Sequence, residues 1–166
     1  MREELAHAAR SIPLRDREGS VRAFAMVDAG DYEGLSAHRW HLTAYGYAAR
    51  HIGGRKNRKS VLMHREVLHL APGDPRQCDH RNLRRLDNRR ANLRIVTDAQ
   101  NKQNVRARRT STSRYRGVHW DAGRGKWTAS ATLDGRTKFL GRFDTEQEAA
   151  DAAAVWREAH MPFTTN

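Results

Sequence analysis

Gln77-Cys78-Asp79-His80, then Leu86-Asp87-Asn88-Arg89-Arg90-Ala91-Asn92-Leu93-Arg94, then Thr97-Asp98-Ala99-Gln100-Asn101, form the stretch whose reading decides the fold. It places an Asp-His pair, an Asn twelve residues on, and a second Asn nine residues beyond that. The intervening pattern reads as strand, loop, strand and helix. Arg76 to His80 suits a short strand and Arg94 to Val96 a second. Thr97 with Gln100 three residues later is a capping box that starts a helix at Asp98. Asp79 and His80 then sit at a strand end, where neighbouring side chains point to opposite sides. Asn101 falls in the first turn of the helix and can face back towards them. Asn92 lies in the loop and can tie it down by side-chain hydrogen bonds to backbone. Such a layout can hold a divalent metal and a general base against a phosphodiester.

The charge of the chain points the same way. Its 166 residues carry a formal net charge of +12, which makes a polyanion the first partner to consider. The charge is concentrated: Arg76 to Arg94 holds seven basic and two acidic residues, and Asn101 to Arg142 eleven basic and two acidic. The remainder sums to −2. That is the pattern of a protein that neutralises phosphates. Arg89, Arg90 and Arg94 stand beside the Asp-His pair and can meet phosphates there, with at least one of them expected to be only structural.

One cysteine, Cys78, excludes a disulfide framework and a Cys-based zinc site. It reads as core filler with no dedicated base, so it is not a nucleophile. Met1 to Ser20 has no apolar run of a secretory signal, and no stretch reaches the roughly 18 apolar residues of a transmembrane helix. A soluble protein of a reducing compartment follows, cytoplasmic in a bacterial or phage-infected cell and not secreted, with no membrane partner.

Upstream, Val21 to Val27 alternates as a strand and Asp28 to Ser36 suits a helical turn. Trp40 to Leu42 and Tyr45 to His51 read as a hairpin with Gly46 near its turn. Gly53 to Asn57 is a polar turn before a strand from Ser60 to His64. Arg65 to Leu70 suits a short helix stopped by Pro72-Gly73. His64 reads either as support for the site or as a packed histidine in that strand. Asp87 is expected to hold the loop through local hydrogen bonds or a pair with Arg89.

Downstream, residues 106–113 carry no apolar side chain larger than Ala and read as a basic linker, with Arg106, Arg108 and Arg109 on it. Tyr115 to Trp120, Lys126 to Leu133 and Thr137 to Phe143 read as three strands, joined by turns at Asp121 to Gly125 and Asp134-Gly135-Arg136. Thr145 and Glu148 form a second capping box, opening a helix with Ala149, Ala153 and Trp156 on one face. On the middle strand Trp127, Ala129, Ala131 and Leu133 should pack on the helix. Lys126, Thr128, Ser130 and Thr132 should face outward.

With these residues in view the chain resembles two families. Over most of residues 20–105 it is similar to the HNH endonucleases of the phage and intron-encoded group. The shared blocks are Asp79-His80, Leu86-Asp87-Asn88-Arg89, Asn92-Leu93-Arg94 and Thr97-x-x-Gln100-Asn101. Upstream matches are Met26-Val27-Asp28, Asp31-Tyr32, Leu35, Trp40, Gly46-Tyr47-Ala48 and Met63-His64-Arg65. The resemblance implies a ββα-metal site with His80 as general base and Asn92 orienting loop and base. Asp79 and Asn101 would ligate a divalent metal, Mg²⁺ or alternatively Mn²⁺, to which an amide oxygen is suited. The last position is Asn101 rather than His, a residue that homing-type members also use there.

Residues 114–160 resemble the APETALA/ethylene-response-factor type of DNA-binding domain. Tyr115-Arg116-Gly117-Val118, Gly125-Lys126-Trp127, Phe139-Leu140-Gly141-Arg142-Phe143-Asp144-Thr145 and Glu148-Ala149-Ala150 carry that likeness. It implies a sheet face in the DNA major groove, with Arg116, His119, Ser130, Thr132, Thr137, Phe139 and Arg142 towards DNA and Trp127 and Trp156 in the core. Arg124, Lys126, Arg136, Lys138 and Arg142 would meet phosphates. His119, Ser130, Thr132 and Thr137 replace Arg or Glu of the plant regulators, so sequence reading should be looser.

The expectation is therefore an α+β chain. Residues 1–75 form the β-rich part of a nuclease region and 76–105 its ββα-metal core. Residues 106–113 form the linker, and 114–166 a three-stranded antiparallel sheet with one packed helix. The expected function is metal-dependent cleavage of double-stranded DNA by a homing or mobile-element nuclease, as a monomer or homodimer. The alternative is a DNA-binding regulator with an inert nuclease fold; an RNA binder is the weaker rival.

Overall fold

A hairpin absent from the sequence expectation opens the structure. Residues Ala9–Arg15 form β1, which pairs antiparallel with β2, Val21–Asp28, from Ala9 opposite Asp28 to Arg15 opposite Val21. Ile12 and Leu14 alternate inward from β1, and Ala25 and Val27 from β2. Pro13 lies between the two buried residues; a two-stranded ladder has only edge strands, where Pro is tolerated. The computed structural model describes residues 8–104 and 111–164, and the chain divides into two units, 1–97 and 98–166.

In the first unit, helix α1 (Ala29–Ser36) follows β2 directly. Leu35 from α1 packs into the core, and its carbonyl accepts the indole N–H of Trp40 at 2.7 Å. Strands β3 (His41–Leu42), β4 (Ala48–Ile52) and β5 (Lys59–Leu62) form an antiparallel sheet in that order. Gly46 takes φ +78° in the β3–β4 turn, a conformation that costs glycine nothing.

Strand β5 runs straight into helix α2, Met63–Val67. His64 therefore stands on a helix, not on the expected strand. The helix begins earlier than expected because Met63 and Val67, four apart, both enter the core. Strands β6 (Gln77–His80) and β7 (Leu93–Val96) pair antiparallel, and a 3₁₀ turn at Arg90–Asn92 closes the loop between them.

This hairpin is no separate module beginning at residue 76. The Met26 N–H donates to the Leu86 carbonyl at 2.8 Å, and the Asn88 N–H to the Met26 carbonyl at 2.7 Å. The backbone N–H of Arg90 donates to the Asp28 carboxylate at 2.8 Å. Leu93 joins the same core as Ile12, Leu14, Trp40 and Met63. The loop between β6 and β7 is thus seated on β2 by main-chain bonds.

The second unit starts with the short helix α3, Asp98–Asn101, at the expected position. Strands β8 (Val118–Asp121), β9 (Lys126–Leu133) and β10 (Arg136–Phe143) form an antiparallel sheet with β9 in the middle. Asp134 and Gly135 both have positive φ, as a two-residue hairpin turn requires. Helix α4, Glu146–His160, opens with the expected capping box: Thr145 accepts from the Glu148 N–H at 3.2 Å, and Glu148 accepts from the Thr145 N–H at 3.1 Å.

Val118, Ala129, Ala149, Ala150 and Ala153 make the core of this unit, with Trp127, Leu140 and Phe143 packed against it. Gly117 admits no side chain: its φ is +79°, and a Cβ would sit 2.1 Å from the Ser130 carbonyl oxygen. Ser111 to Ser113 belong to this unit and not to a linker. Ser113 is buried, and its hydroxyl donates to the Glu146 carboxylate at 2.7 Å. The chain is of mixed α+β class with small antiparallel sheets. Among the described residues no helix is long and apolar enough to cross a membrane.

Candidate active site and nucleic-acid face

His80 ends β6 with its ring buried, 4% exposed. Its Nε2 lies 3.2 Å from the Asn88 amide oxygen. The amide nitrogen of Asn88 points the other way, donating to the Leu86 carbonyl at 3.3 Å and towards the Met63 sulfur at 3.5 Å. With the amide so oriented, Nε2 is the donor and the lone pair of the neutral ring is on Nδ1. Burial lowers the basicity of His80, opposed by the Asn88 bond and by the charges of Asp79 and Asp87. A neutral imidazole is the form that can accept a proton.

Two aromatic side chains wall this ring. His64 from α2 meets it edge-on, with centroids 5.0 Å apart and planes at 86°. Tyr47, just before β4, lies 5.2 Å from His64 and 6.0 Å from His80. Burial, then the neighbouring His80 and Arg65, pushes His64 down to about 3, so it stays neutral. Arg85 lies over the outer side of Tyr47 at 5.0 Å and donates to the Tyr45 carbonyl at 2.6 Å.

Asp79 precedes His80 and is 6% exposed. Its Oδ2 accepts from Arg94 Nη2 at 2.6 Å and Nε at 2.9 Å, across the rung that pairs the two residues. Asn92 is the tie that its sequence position suggested. Its amide donates to the Asp87 carbonyl at 2.7 Å, and its oxygen accepts the Asn82 N–H at 3.0 Å. Asp87 accepts from Arg89 and from the Asn82 amide, and Arg89 holds its carboxyl below the usual range. Cys78 is half-buried, and burial pushes its thiol up to about 12, consistent with a packing role.

Asp79, His80 and Asn92 are thus assembled within the first unit, whereas Asn101 ends α3 in the second. A carboxylate and an amide oxygen are hard donors that suit Mg²⁺ or Mn²⁺. Among the described residues no three His, Cys, Asp or Glu side chains converge.

Two of the arginines expected near phosphates have carboxylate partners within the fold. Arg94 is mostly buried, with 10% of its side chain exposed, and is engaged by Asp79. Arg89 is spent on Asp87 at 2.7 Å. The exposed arginines of the loop are Arg81, Arg84, Arg85 and Arg90, of which Arg90 pairs with Asp31 at 2.7 Å. Sequence reasoning passed over Arg81, Arg84 and Arg85 and also the roles of Asn88 and Tyr47. The Asn88 signal was its place beside Asp87 within the motif, but nothing in the sequence said which way its amide turns.

On the second unit the register puts His119, Thr128 and Arg142 side by side on the sheet face opposite the helix. Ser130 with Phe139, and Thr132 with Thr137, continue that face, the two threonine hydroxyls bonding at 2.9 Å. Arg142 lies over the Phe139 ring at 5.0 Å. Arg124 and Lys126 pair with Asp121 and Asp144 respectively, and both arginine and lysine ends reach solvent.

Several residues of this unit are placed differently from the expectation. Thr128 is buried, not outward-exposed, flanked by His119 and Arg142 on neighbouring strands. Arg116 is half-buried and turns its guanidinium to the Gln103 carbonyl and the Thr164 hydroxyl, while its own carbonyl accepts from Arg157. Lys138 and Arg136 fall on the helix side of β10, with the Lys138 ammonium 6.0 Å from the Trp156 ring. Trp127 packs against the core as expected, but Trp156 is only partly buried and stacks on His160 at 4.4 Å. Arg106, Arg108 and Arg109 lie outside the described residues.

Comparison with models of known protein families gave no match, and comparisons with curated proteins and with solved structures gave none either.

Proposed function

We propose that this chain is a metal-dependent DNA endonuclease of the HNH type, homing or mobile-element in kind, that hydrolyses phosphodiesters of duplex DNA. The observation that supports it most is the pairing of a buried, neutral His80, oriented by Asn88, with Asp79 on consecutive positions of β6 beside a loop tied by Asn92. His80 Nδ1 takes a proton from the attacking water, Asn88 holds the ring by its Nε2–H, and the His64 and Tyr47 rings exclude bulk water from one side. Asp79 and Asn101 would hold Mg²⁺ or Mn²⁺. When bound, such an ion supplies charge neutralisation at the phosphoryl oxygens and at the departing 3′ oxygen. The products are a 5′ phosphate and a 3′ hydroxyl.

Arg81, Arg84 and Arg85 serve the backbone near the cut. The sheet face with His119, Ser130, Thr132, Thr137, Phe139 and Arg142 selects where the enzyme sits, with the linker arginines Arg106, Arg108 and Arg109 tracking phosphates. One site per chain means that a monomer nicks and a homodimer cuts both strands. Supercoiled plasmid tests this: nicking with Mg²⁺ and none with EDTA is expected, followed by end mapping on genomic DNA.

A second reading is favoured by the Asp79–Arg94 ion pair, which already neutralises the carboxylate. In it the chain is a DNA-binding regulator with an inert nuclease fold. Tight, salt-sensitive duplex binding without cutting in Mg²⁺ or Mn²⁺ would identify it.

A further inference from the structure

A cleft of about 680 Å³ in the first unit involves none of the residues assigned above. The β1–β2 hairpin supplies Arg15, Arg17 and Arg22 to it. Arg39 comes from the segment before β3, and Arg58 from the turn before β5. Between them the rings of His41 and His51 stack at 4.7 Å with planes 18° apart. No single sequence window reveals this concentration, because its members come from three separated segments of the chain.

Five guanidinium groups face two carboxylates, Asp16 and Glu18. Asp16 is consumed internally: it accepts the Ser20 N–H at 2.9 Å and pairs with Arg22 at 2.6 Å. Arg15 and Arg39 are fixed by carbonyls, at 2.9 Å to Gly19 and 3.0 Å to Arg17. Arg17 and Arg58 are exposed and have no carboxylate partner among the described residues. Gathering like charges in one concavity raises the local potential, and an anion relieves the repulsion.

We propose that this cleft is a second phosphate-binding site, one that grips the sugar–phosphate backbone of a nucleic acid away from the cleavage centre. Arg17 and Arg58, which pair with no carboxylate among the described residues, close on the phosphate. The anchored ones line its bed, and the stacked imidazoles offer ring N–H groups as donors. The site rests on the nucleic-acid reading for its occupant and does not depend on catalysis.

The test uses the full chain in EDTA with a fluorescein-labelled duplex, its affinity followed by anisotropy over a range of salt. Each phosphate contact contributes about 0.9 to the slope of log K against log salt. The double variant Arg17→Gln/Arg58→Gln should therefore show a slope reduced by about 1–2 and a weaker affinity at low salt. Unchanged slope and affinity in the variant would overturn the cleft alone. Absence of duplex binding by the unaltered chain would overturn the nucleic-acid reading with it. A second arm follows the ring resonances of His41 and His51, assigned through His41→Gln, on adding the duplex or inorganic phosphate. Shifts with the duplex support the backbone as occupant; shifts with inorganic phosphate only would assign the cleft to a small free anion and sink the proposal.

Discussion

Asp79 and Arg94 face each other across the β6–β7 ladder, the guanidinium Nη2 2.6 Å from the carboxylate oxygen. The carboxylate expected to hold a cation is thus already held by one. Replacing Arg94 by Gln leaves a buried carboxylate without its charge partner, a change that costs about 3–5 kcal/mol where burial is complete and somewhat less here. Urea denaturation in EDTA should show that loss, and excess Mg²⁺ should restore part of it if Asp79 is a ligand. A variant equally destabilised with and without Mg²⁺ would argue against Asp79 as a ligand.

Asn92→Ala removes one donor to the Asp87 carbonyl and one acceptor for the Asn82 N–H. Leaving such buried backbone groups unmet costs about 1–3 kcal/mol. Stability should fall by that order and nicking should fall further, while duplex affinity changes little. Asn92→Asp keeps the acceptor only and should lie between the two. Equal losses of binding and cutting would show that Asn92 supports the whole unit and not the loop.

The hairpin that carries Asp79 and His80 was legible because short strands and an Asn-rich turn have local signatures. The C-terminal sheet was legible through Asp134-Gly135 and the Thr145 capping box. Strand β1 was not: Pro13 and the charged residues around it masked the alternation of Ile12 and Leu14, which only pairing with β2 makes inward. The sequence pattern extends a strand through His64 because β5 is continuous with α2, and the burial of Met63 and Val67 decides the boundary. The partners of Arg89, Arg94 and Arg116 were hidden for a different reason. A basic residue in a basic stretch looks free until the fold brings a carboxylate or carbonyl to it.

Burial of His64 makes stability depend on pH. Its value of about 3 lies below the ordinary 6.5, so between the two the unfolded chain holds the proton and the folded chain does not. Stability is full above pH 6.5 and falls as pH drops towards 3, by at most about 1.4 kcal/mol per pH unit from this group. Denaturation curves at descending pH should show the slope, and His64→Met should flatten it. A variant with an undiminished slope would mean that other groups carry the dependence.

Cys78 offers a probe of the β6 packing. With its thiol pushed up to about 12, the thiolate is scarce at mildly alkaline pH. Iodoacetamide should label the native chain at least about 100-fold more slowly than the urea-unfolded chain, since only thiolate reacts. Labelling of the native chain at the unfolded rate would contradict the packing described for β6.

The central claim is tested most directly by His80→Ala, assayed for cutting and for binding on the same duplex in Mg²⁺. Loss of a positioned general base should lower the cleavage rate about 10²–10⁴-fold. Duplex affinity should stay near that of the unaltered chain. Cutting by the variant at the unaltered rate, or a native chain that binds duplex and never cuts it with either Mg²⁺ or Mn²⁺, would contradict the account.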